Sequence, residues 1–252
     1  MRIIGELCGR FPEAARNTFN LGIEMKKVAI LQSNYIPWKG YFDIIQKADV
    51  FVIYDEVQYT KNDWRNRNMI KTPTGMQWLT IPVSQQSLNQ KICETCISAS
   101  NWNMKHWNAL AGNYARARYF RHYESELKLL YSSIVTNNLS EINRQFIDKI
   151  NSLLEITTEI IDSRSLDLIG DKNERLIDAV KKLNGTHYIS GPAAKSYLDV
   201  SAFEKASIQV EWMEYSGYPT YSQLFEPFSH NVTVLDLLFN EGPNAKNFLK
   251  KQ

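Results

Sequence analysis

The run from Tyr54 to Asn68 is dense in side chains that could bind or transform a phosphate-bearing ligand. Within it, Arg65 and Arg67 could each donate two N–H groups to an oxyanion, a geometry that lysine supplies poorly. Asp55 directly follows an apolar run, where a general base or an acceptor for a ribose hydroxyl is expected. These three residues are therefore candidate catalytic residues.

Gln58 and Tyr59 lie in the same run and are candidate ligand contacts. The alternative interpretation is a solvated loop whose acids and arginines pair with one another, as charged runs usually do. Trp64 and the neighbouring asparagines favour the binding interpretation, because solvent exposure alone does not account for a tryptophan and several amides in one loop.

A second candidate is the turn QSNYIPWKGY, residues 32–41. A glycine here would let the backbone approach a ligand closely, and a helix starting near Tyr41 would direct free N–H groups at an anion. The alternative is a proline and glycine turn with packed aromatic residues. The candidate ligand contacts in this turn are Gln32, Asn34, Tyr35, Gly40 and Tyr41.

A third candidate is YISGPAAKSY, residues 188–197, where a short strand breaks into a helix start. Ser190 offers a hydroxyl, Gly191 a flexible backbone, and Lys195 a cation one turn into the helix, a combination that suits phosphate capture. Lys195 is therefore a further candidate catalytic residue, and it is equally compatible with an exposed surface position. The motif alone is weak, but it would be the second anion-suited helix start at a strand end.

Two continuous apolar runs, Val28–Leu31 and Val50–Tyr54, are separated by a helix-length segment and predict a βαβ unit of a parallel sheet. Strand patterns return near residues 159–163, 187–190 and 208–215, with a helix predicted between the first two. Ligands of such sheets bind outside the carboxyl ends of the strands, where all three candidates lie. The predicted fold is therefore α/β, an open, mostly parallel, Rossmann-like sheet.

Between the strand patterns at residues 50–54 and 159–163, the spacing of the apolar residues changes. Residues 58–71 look like a loop, residues 78–83 like a third strand, and apolar residues at three- and four-residue spacing predict a helical insertion over about 102–155. Residues 25–252 are expected to form one α/β domain. Residues 1–24 contain neither a periodic apolar face nor the apolar segment of a secretory signal, and Met25 resembles a natural start. They are expected to be a peripheral extension, either upstream of the true initiator or a short accessory segment.

Composition excludes several classes of function. The formal net charge of +2 gives no field that would imply nucleic acid as a partner, and no apolar run is long enough for membrane insertion. Three cysteines do not make a disulfide framework, and Cys93 and Cys96 would point to opposite faces of a strand, which disfavours a metal or redox site. The chain is expected to be cytoplasmic, and its sequence identifies no cofactor and no oligomeric state.

Three segments carry a family resemblance: Val28 to Val83, Tyr188 to Asp199, and Leu235 to Pro243. Together they resemble the WbqC-like family over essentially everything from Met25 onward. That resemblance implies a place in bacterial O-antigen or other surface-polysaccharide biosynthesis, without implying a particular reaction.

The chain is also faintly similar to the nucleotidylyltransferase superfamily. Its segment Trp38–Tyr41 stands where that superfamily has an HxGH turn, and Ile189–Lys195 stands where it has an ISSTxxR helix start. Both histidines of the turn are replaced, by Trp38 and Tyr41. Since those imidazoles stabilise the transferring phosphate, the similarity implies nucleotide-like binding more than nucleotidyl transfer.

The leading hypothesis is a transferase that modifies a sugar or sugar-nucleotide and uses a phosphate-bearing donor or substrate. Its partner would be a phosphate-bearing small molecule or a sugar nucleotide. The alternative is a noncatalytic protein of the same pathway that binds a glycan intermediate or assists assembly through its many aromatic residues. Burial separates the two: Trp64, Tyr221 and Phe225 on an open flat surface would favour the binding protein.

Overall fold

A computed structural model describes residues 25–250 of the 252-residue chain. The prediction of a peripheral extension over residues 1–24 therefore lies outside the described residues. In chain order, the strands are β1 (Lys27–Leu31), β2 (Val50–Ile53), β3 (Arg67–Thr72), β4 (Gly75–Thr80), β5 (Val83–Ser84), β6 (Cys96–Ile97), β7 (Glu159–Asp162), β8 (His187–Ser190) and β9 (Gln209–Trp212).

The α-helices are α1 (Lys39–Lys47), α2 (Trp102–Tyr114), α3 (Phe120–Ser133), α4 (Leu139–Leu153), α5 (Lys172–Lys182), α6 (Val200–Lys205) and α7 (Val234–Glu241). The helices α2, α3 and α4 span the segment for which the sequence predicts a helical insertion. In the part of the chain that the structure describes, no helix has the length and apolar character needed to cross a membrane.

Five strands form a parallel sheet in the order β7, β2, β1, β8, β9. Val28 of β1 lies opposite Val50 of β2 on one side and Tyr188 of β8 on the other. The chain runs outward from β1 to β7, then crosses back and continues outward from β8 to β9. This reversal makes the gap between β1 and β8 the topological switch point. The predicted open parallel sheet is confirmed.

Helices cover both faces of the sheet, which explains why its strands are apolar without alternation. Ala29, Phe51 and Ile189 point into the larger core, with α1 and the helices α2 to α4. Val28 and Val50 point into a smaller core with α5 and α6. Each fully buried side chain of this size contributes roughly 1.5–3 kcal/mol through the hydrophobic effect.

The prediction that residues 58–71 form a loop is wrong for its last part. Arg67–Thr72 is strand β3, which pairs antiparallel with β4 so that Arg67 faces Thr80. Polar residues at buried positions obscure the strand in the sequence. Asn68 is almost fully buried, and its side-chain amide donates to the carbonyl oxygens of Tyr35 and Ile36. These hydrogen bonds offset the cost of burying the amide.

Candidate functional site

A cavity of about 550 Å³ opens at the switch point, and we call it the switch-point cavity. Its apolar floor includes Ile30 and Leu31 at the end of β1, and Tyr188 of β8 lines the wall. Ligand sites of globular proteins usually measure about 300–1,000 Å³. Position and size together make this cavity the candidate functional site. The predicted contacts that line it are Gln32, Arg65, Ser190 and Gly191.

The charged residues that line the switch-point cavity are both cationic. Arg65 enters from the loop before β3, and Lys172 is the first residue of α5. Among residues 25–250, no carboxylate lines the cavity. The two cations favour an anionic ligand, even though Arg65 also contacts the Asp63 carboxylate at 3.7 Å, and the apolar floor strengthens that attraction.

Arg65 is held in place from several directions. Its guanidinium donates to the side-chain oxygen of Asn34 and, at 3.5 Å, to the carbonyl oxygen of Ser33. Its Nε lies 3.7 Å from a carboxylate oxygen of Asp63. The side-chain amide of Asn143 donates to the backbone carbonyl of Arg65 at 2.8 Å. With 15% of its side chain exposed, Arg65 is a partly desolvated and positioned cation.

Asp55 lies beneath this loop and is 3% exposed. One carboxylate oxygen accepts a hydrogen bond from the Ser33 backbone N–H at 2.7 Å, and the other accepts from the Ser33 hydroxyl at 2.6 Å and from the Ser140 hydroxyl. Burial raises the pKa of Asp55, and these hydrogen bonds oppose the rise. Both oxygens are occupied by protein groups, so the geometry favours a positioning role over the predicted catalytic one.

Three predicted tyrosine contacts are buried instead of lining the cavity. Tyr35 is in the larger core, where its hydroxyl contacts His106 and Tyr131. Tyr41 donates its hydroxyl to the carbonyl oxygen of Gln32 at 3.0 Å, and so it supports a cavity residue from behind. Tyr59 is also buried in the larger core.

Gly40 does not provide the close ligand approach that the sequence predicts. The helix α1 begins at Lys39, earlier than expected, and Gly40 is buried under the indole of Trp38. A Cβ at position 40 would lie 2.3 Å from that ring. The glycine is required by packing against Trp38, and its backbone is closed to a ligand.

Three predicted site residues lie outside the cavity. Arg67 places its guanidinium 4.2 Å from the centre of the Trp78 ring and hydrogen-bonds Asn62. Lys195 is exposed, with its amine 5.5 Å from the ring centre of Trp212. Gln58 is exposed and donates its amide to a backbone carbonyl at 2.5 Å.

Several cavity residues were not predicted from the sequence. Lys172 and Asn173 come from the start of α5. Tyr54 and Tyr197, which lie at the ends of two of the candidate runs but were not predicted as ligand contacts, add aromatic walls. The start of α5 carries a strong capping signal, since Asp171 accepts from the N–H groups of Asn173 and Glu174. That signal locates a helix end but not its neighbours, and only the crossover from β7 to β8 brings the helix over the cavity.

A second cavity of about 290 Å³ lies beside the same loop, and we call it the tryptophan cavity. Asn34, which hydrogen-bonds Arg65 of the switch-point cavity, is one of its walls, so the two cavities adjoin at this contact. The residues that line it are Asn34, Pro37, Trp38, Trp64, Asn68 and Asn231.

A comparison with family models matches residues 32–248 to the WbqC-like protein family. The chain belongs to this family. A relative described as the uncharacterized protein Rv1507c of Mycobacterium tuberculosis is 47% identical over 227 residues, which cover 90% of this chain and 98% of the relative. No solved structure matches the chain. Both the switch-point cavity and the tryptophan cavity are lined by residues within the matched span, apart from Ile30 and Leu31.

Among residues 25–250, no group of three or more histidine, cysteine, aspartate or glutamate side chains is arranged to hold a metal ion. The polar groups that line the switch-point cavity are an arginine, a lysine, hydroxyls and amides. Such groups bind and stabilise negative charge on an oxygen atom.

Proposed function

We propose that this WbqC-like protein is a cytoplasmic transferase that modifies a sugar or sugar-nucleotide in bacterial surface-polysaccharide biosynthesis. Its phosphate-bearing ligand occupies the switch-point cavity. The observation that carries the proposal is that Arg65 and Lys172 line one cavity at the topological switch point of a parallel sheet, and that no carboxylate among residues 25–250 lines it with them.

The composition of the cavity supports a nucleotide as the phosphate carrier. Tyr54, Tyr188 and Tyr197 line the same space as the two cations, and aromatic faces stack on nucleobases. A ligand with a flat base and a charged tail would satisfy both kinds of wall. At about 550 Å³ the cavity has room for a ligand of that size.

The proposed roles follow from position. Arg65 binds the phosphate with two N–H groups, Lys172 adds a mobile positive charge at the rim, and Ser190 and Gly191 contribute a hydroxyl and a backbone N–H. Asp55 positions the Ser33 turn and does not contact the ligand. Charge stabilisation of a leaving phosphate is the catalytic effect that this set of groups can provide.

The experiment is calorimetric titration of the purified protein with nucleoside diphosphates, nucleoside diphosphate sugars and inorganic phosphate. We expect a nucleoside diphosphate or its sugar conjugate to bind, and Lys172→Ala to weaken that binding about tenfold through loss of one charged contact. Lys181→Ala, at the other end of α5, is the matched control and should bind as the wild type does. Failure of every phosphate compound to bind the wild type would overturn the proposal.

A second candidate function is a noncatalytic protein that binds a glycan intermediate. Two observations favour it: no carboxylate or histidine in the part of the chain that the structure describes lines the switch-point cavity, and Trp64 is exposed. Tyr221, by contrast, is buried, and Phe225 is half-buried, so the aromatic residues do not form one open surface. Mass spectrometry of the protein incubated with a sugar nucleotide and glycan acceptors separates the two functions, because only a transferase forms a product of new mass.

A further inference from the structure

We infer that the tryptophan cavity is a binding site for a neutral sugar ring, the acceptor in the proposed reaction. The inference rests on the proposed function only in calling the sugar an acceptor. The site itself is argued from the residues that line this cavity and from the exposed indoles beside it.

The chemistry of the walls selects a neutral, polyhydroxylated ligand. None of the six residues that line the cavity carries an ionisable side chain. Asn34 and Asn231 supply amide groups that a ligand can reach, and Trp38 and Trp64 supply flat apolar faces. Both N–H groups of Asn68 are donated to backbone carbonyls, so Asn68 shapes the wall without donating to a ligand. Sugars present hydroxyl groups at the ring edge and C–H groups on the ring face, so they match amides and indoles together.

Two of the amides are held in fixed orientations. Asn68 donates to two backbone carbonyls and accepts from the N–H of Met69 at 2.8 Å, which locks its side chain. Asn34 uses its oxygen for Arg65, which leaves its N–H₂ group as the donor available to a ligand. Among residues 25–250, the side-chain amide of Asn231 has no hydrogen-bond partner. Fixed polar groups bind a ligand at a lower entropic cost than mobile ones do.

The indoles continue beyond the cavity as an exposed aromatic shelf formed by Trp64 and Trp78. These residues are 43% and 42% exposed, and their ring centroids lie 5.5 Å apart with the planes inclined at 41°. Arg67 supports the far ring with its guanidinium. The backbone carbonyl of Trp64 accepts from the N–H of Tyr35 at 3.0 Å, so the shelf is anchored to the core. Adjacent exposed indoles on an anchored scaffold are typical of an interaction site.

The size of the cavity favours a sugar over a second nucleotide. Its volume of about 290 Å³ is roughly half that of the switch-point cavity. It accommodates one sugar ring, while the shelf provides room for the next ring of an oligosaccharide. The Arg65 to Asn34 contact would then place the sugar beside the phosphate-bearing ligand, as a transfer reaction requires.

The test is saturation-transfer-difference NMR with a panel of neutral methyl glycosides and disaccharides, on the wild type and on Trp64→Ala and Asn231→Ala. Both side chains are exposed, so folding should be retained, and circular dichroism checks this. We expect at least one neutral sugar to bind at millimolar concentration. Loss of the indole should weaken binding about tenfold or more.

Lys172→Ala tests the two sites separately, because it should weaken nucleoside diphosphate binding and leave sugar binding unchanged. Trp64→Ala should weaken sugar binding and leave nucleoside diphosphate binding unchanged. A panel in which no sugar binds the wild type overturns the inference but leaves the phosphate site standing. Sugar binding that is equal in wild type and Trp64→Ala also overturns it. If Trp64→Ala alters only the oligomeric state, the shelf is a protein interface and the inference fails.

Discussion

The guanidinium of Arg65 donates a hydrogen bond to the side-chain oxygen of Asn34, and the two cavities meet at this contact. Arg65 faces the cationic switch-point cavity, and Asn34 faces the neutral tryptophan cavity. A change in ligand contact on one side can therefore alter the orientation of a group on the other. Binding of the two proposed ligands is expected to be coupled, and thermodynamic linkage makes any such coupling reciprocal.

Replacing Arg65 with lysine should weaken phosphate binding while the fold is retained. Lysine keeps the charge but loses the paired N–H groups that bind a phosphate and Asn34 together. We expect about a tenfold increase in the dissociation constant for a nucleoside diphosphate, measured by calorimetry. Arg121→Lys is the control, because the Arg121 side chain is 77% exposed and pairs with Glu124 in α3.

Arg67→Lys should leave nucleoside diphosphate binding unchanged, because Arg67 lies against Trp78 and outside the switch-point cavity. Equal losses in Arg65→Lys and Arg67→Lys would contradict the assignment of Arg65 as the cavity arginine. They would restore the sequence-based view that both arginines hold the ligand.

Two variants of Asp55 separate a positioning role from a catalytic one. Asp55→Ala leaves the Ser33 N–H and the Ser140 hydroxyl without an acceptor, and should lower the free energy of unfolding by roughly 1–3 kcal/mol. Asp55→Asn keeps one acceptor and has nearly the same shape, so it should lose less stability and retain ligand binding. Urea unfolding and calorimetry measure both effects. A stable Asp55→Asn protein that binds ligand normally but forms no product in the mass-spectrometric transfer assay would instead support a catalytic carboxylate.

The sequence predicted the sheet well because its strands are short, continuous apolar runs that end in turns. The rule that ligands bind at carboxyl strand ends directed the prediction to this edge of the sheet, and Gln32, Arg65, Ser190 and Gly191 line the candidate cavity there. It could not predict the direction of each side chain. Arg65 and Arg67 are two positions apart, yet Arg67 begins strand β3 and turns towards Trp78.

Residues contributed from distant parts of the chain were missed for a related reason. Lys172 belongs to a helix that reaches the cavity only through the crossover between β7 and β8. Asn231 lies in a loop whose path depends on buried contacts with α1, such as the Tyr218 hydroxyl on Asp43. Local patterns in a sequence do not encode which element will face them in space.

The buried Asp43 should make stability depend on pH in the mildly acidic range. Burial raises its pKa to about 6 from an ordinary value of 3.8, against the opposing effect of hydrogen bonds from Tyr218 and Lys250. Between these two values the folded protein keeps a proton that the unfolded chain has released. The stability that this proton provides is complete below pH 3.8 and is lost as the pH rises through 6.

Asp43→Asn removes the titrating group, so it is the reference against which the pH dependence of the wild type is measured. The unfolding free energy of the wild type relative to Asp43→Asn should fall by up to about 3 kcal/mol between pH 4 and pH 6, and level off above that range. Urea unfolding at several pH values measures the difference between the two proteins. Parallel stability curves would show that Asp43 titrates normally in the folded state.

Gly40 and Gly112 provide a matched pair of helical glycines with opposite expected effects. In Gly112→Ala the new methyl group meets no atom within 4 Å, so the higher helix propensity of alanine should stabilise α2 by roughly 0.5–1 kcal/mol. In Gly40→Ala the methyl group would lie 2.3 Å from the Trp38 indole. That ring packs edge-to-face against Tyr215 and Tyr218, which limits its movement.

Overpacking at position 40 should therefore destabilise the protein by roughly 1–3 kcal/mol despite the gain in helix propensity. Trp38 also lines the tryptophan cavity, so its displacement should weaken sugar binding in Gly40→Ala and not in Gly112→Ala. Urea unfolding and saturation-transfer NMR on both variants test the two effects. A Gly40→Ala protein as stable as Gly112→Ala would show that the indole can move aside, and that Gly40 is not needed to hold Trp38 against the cavity.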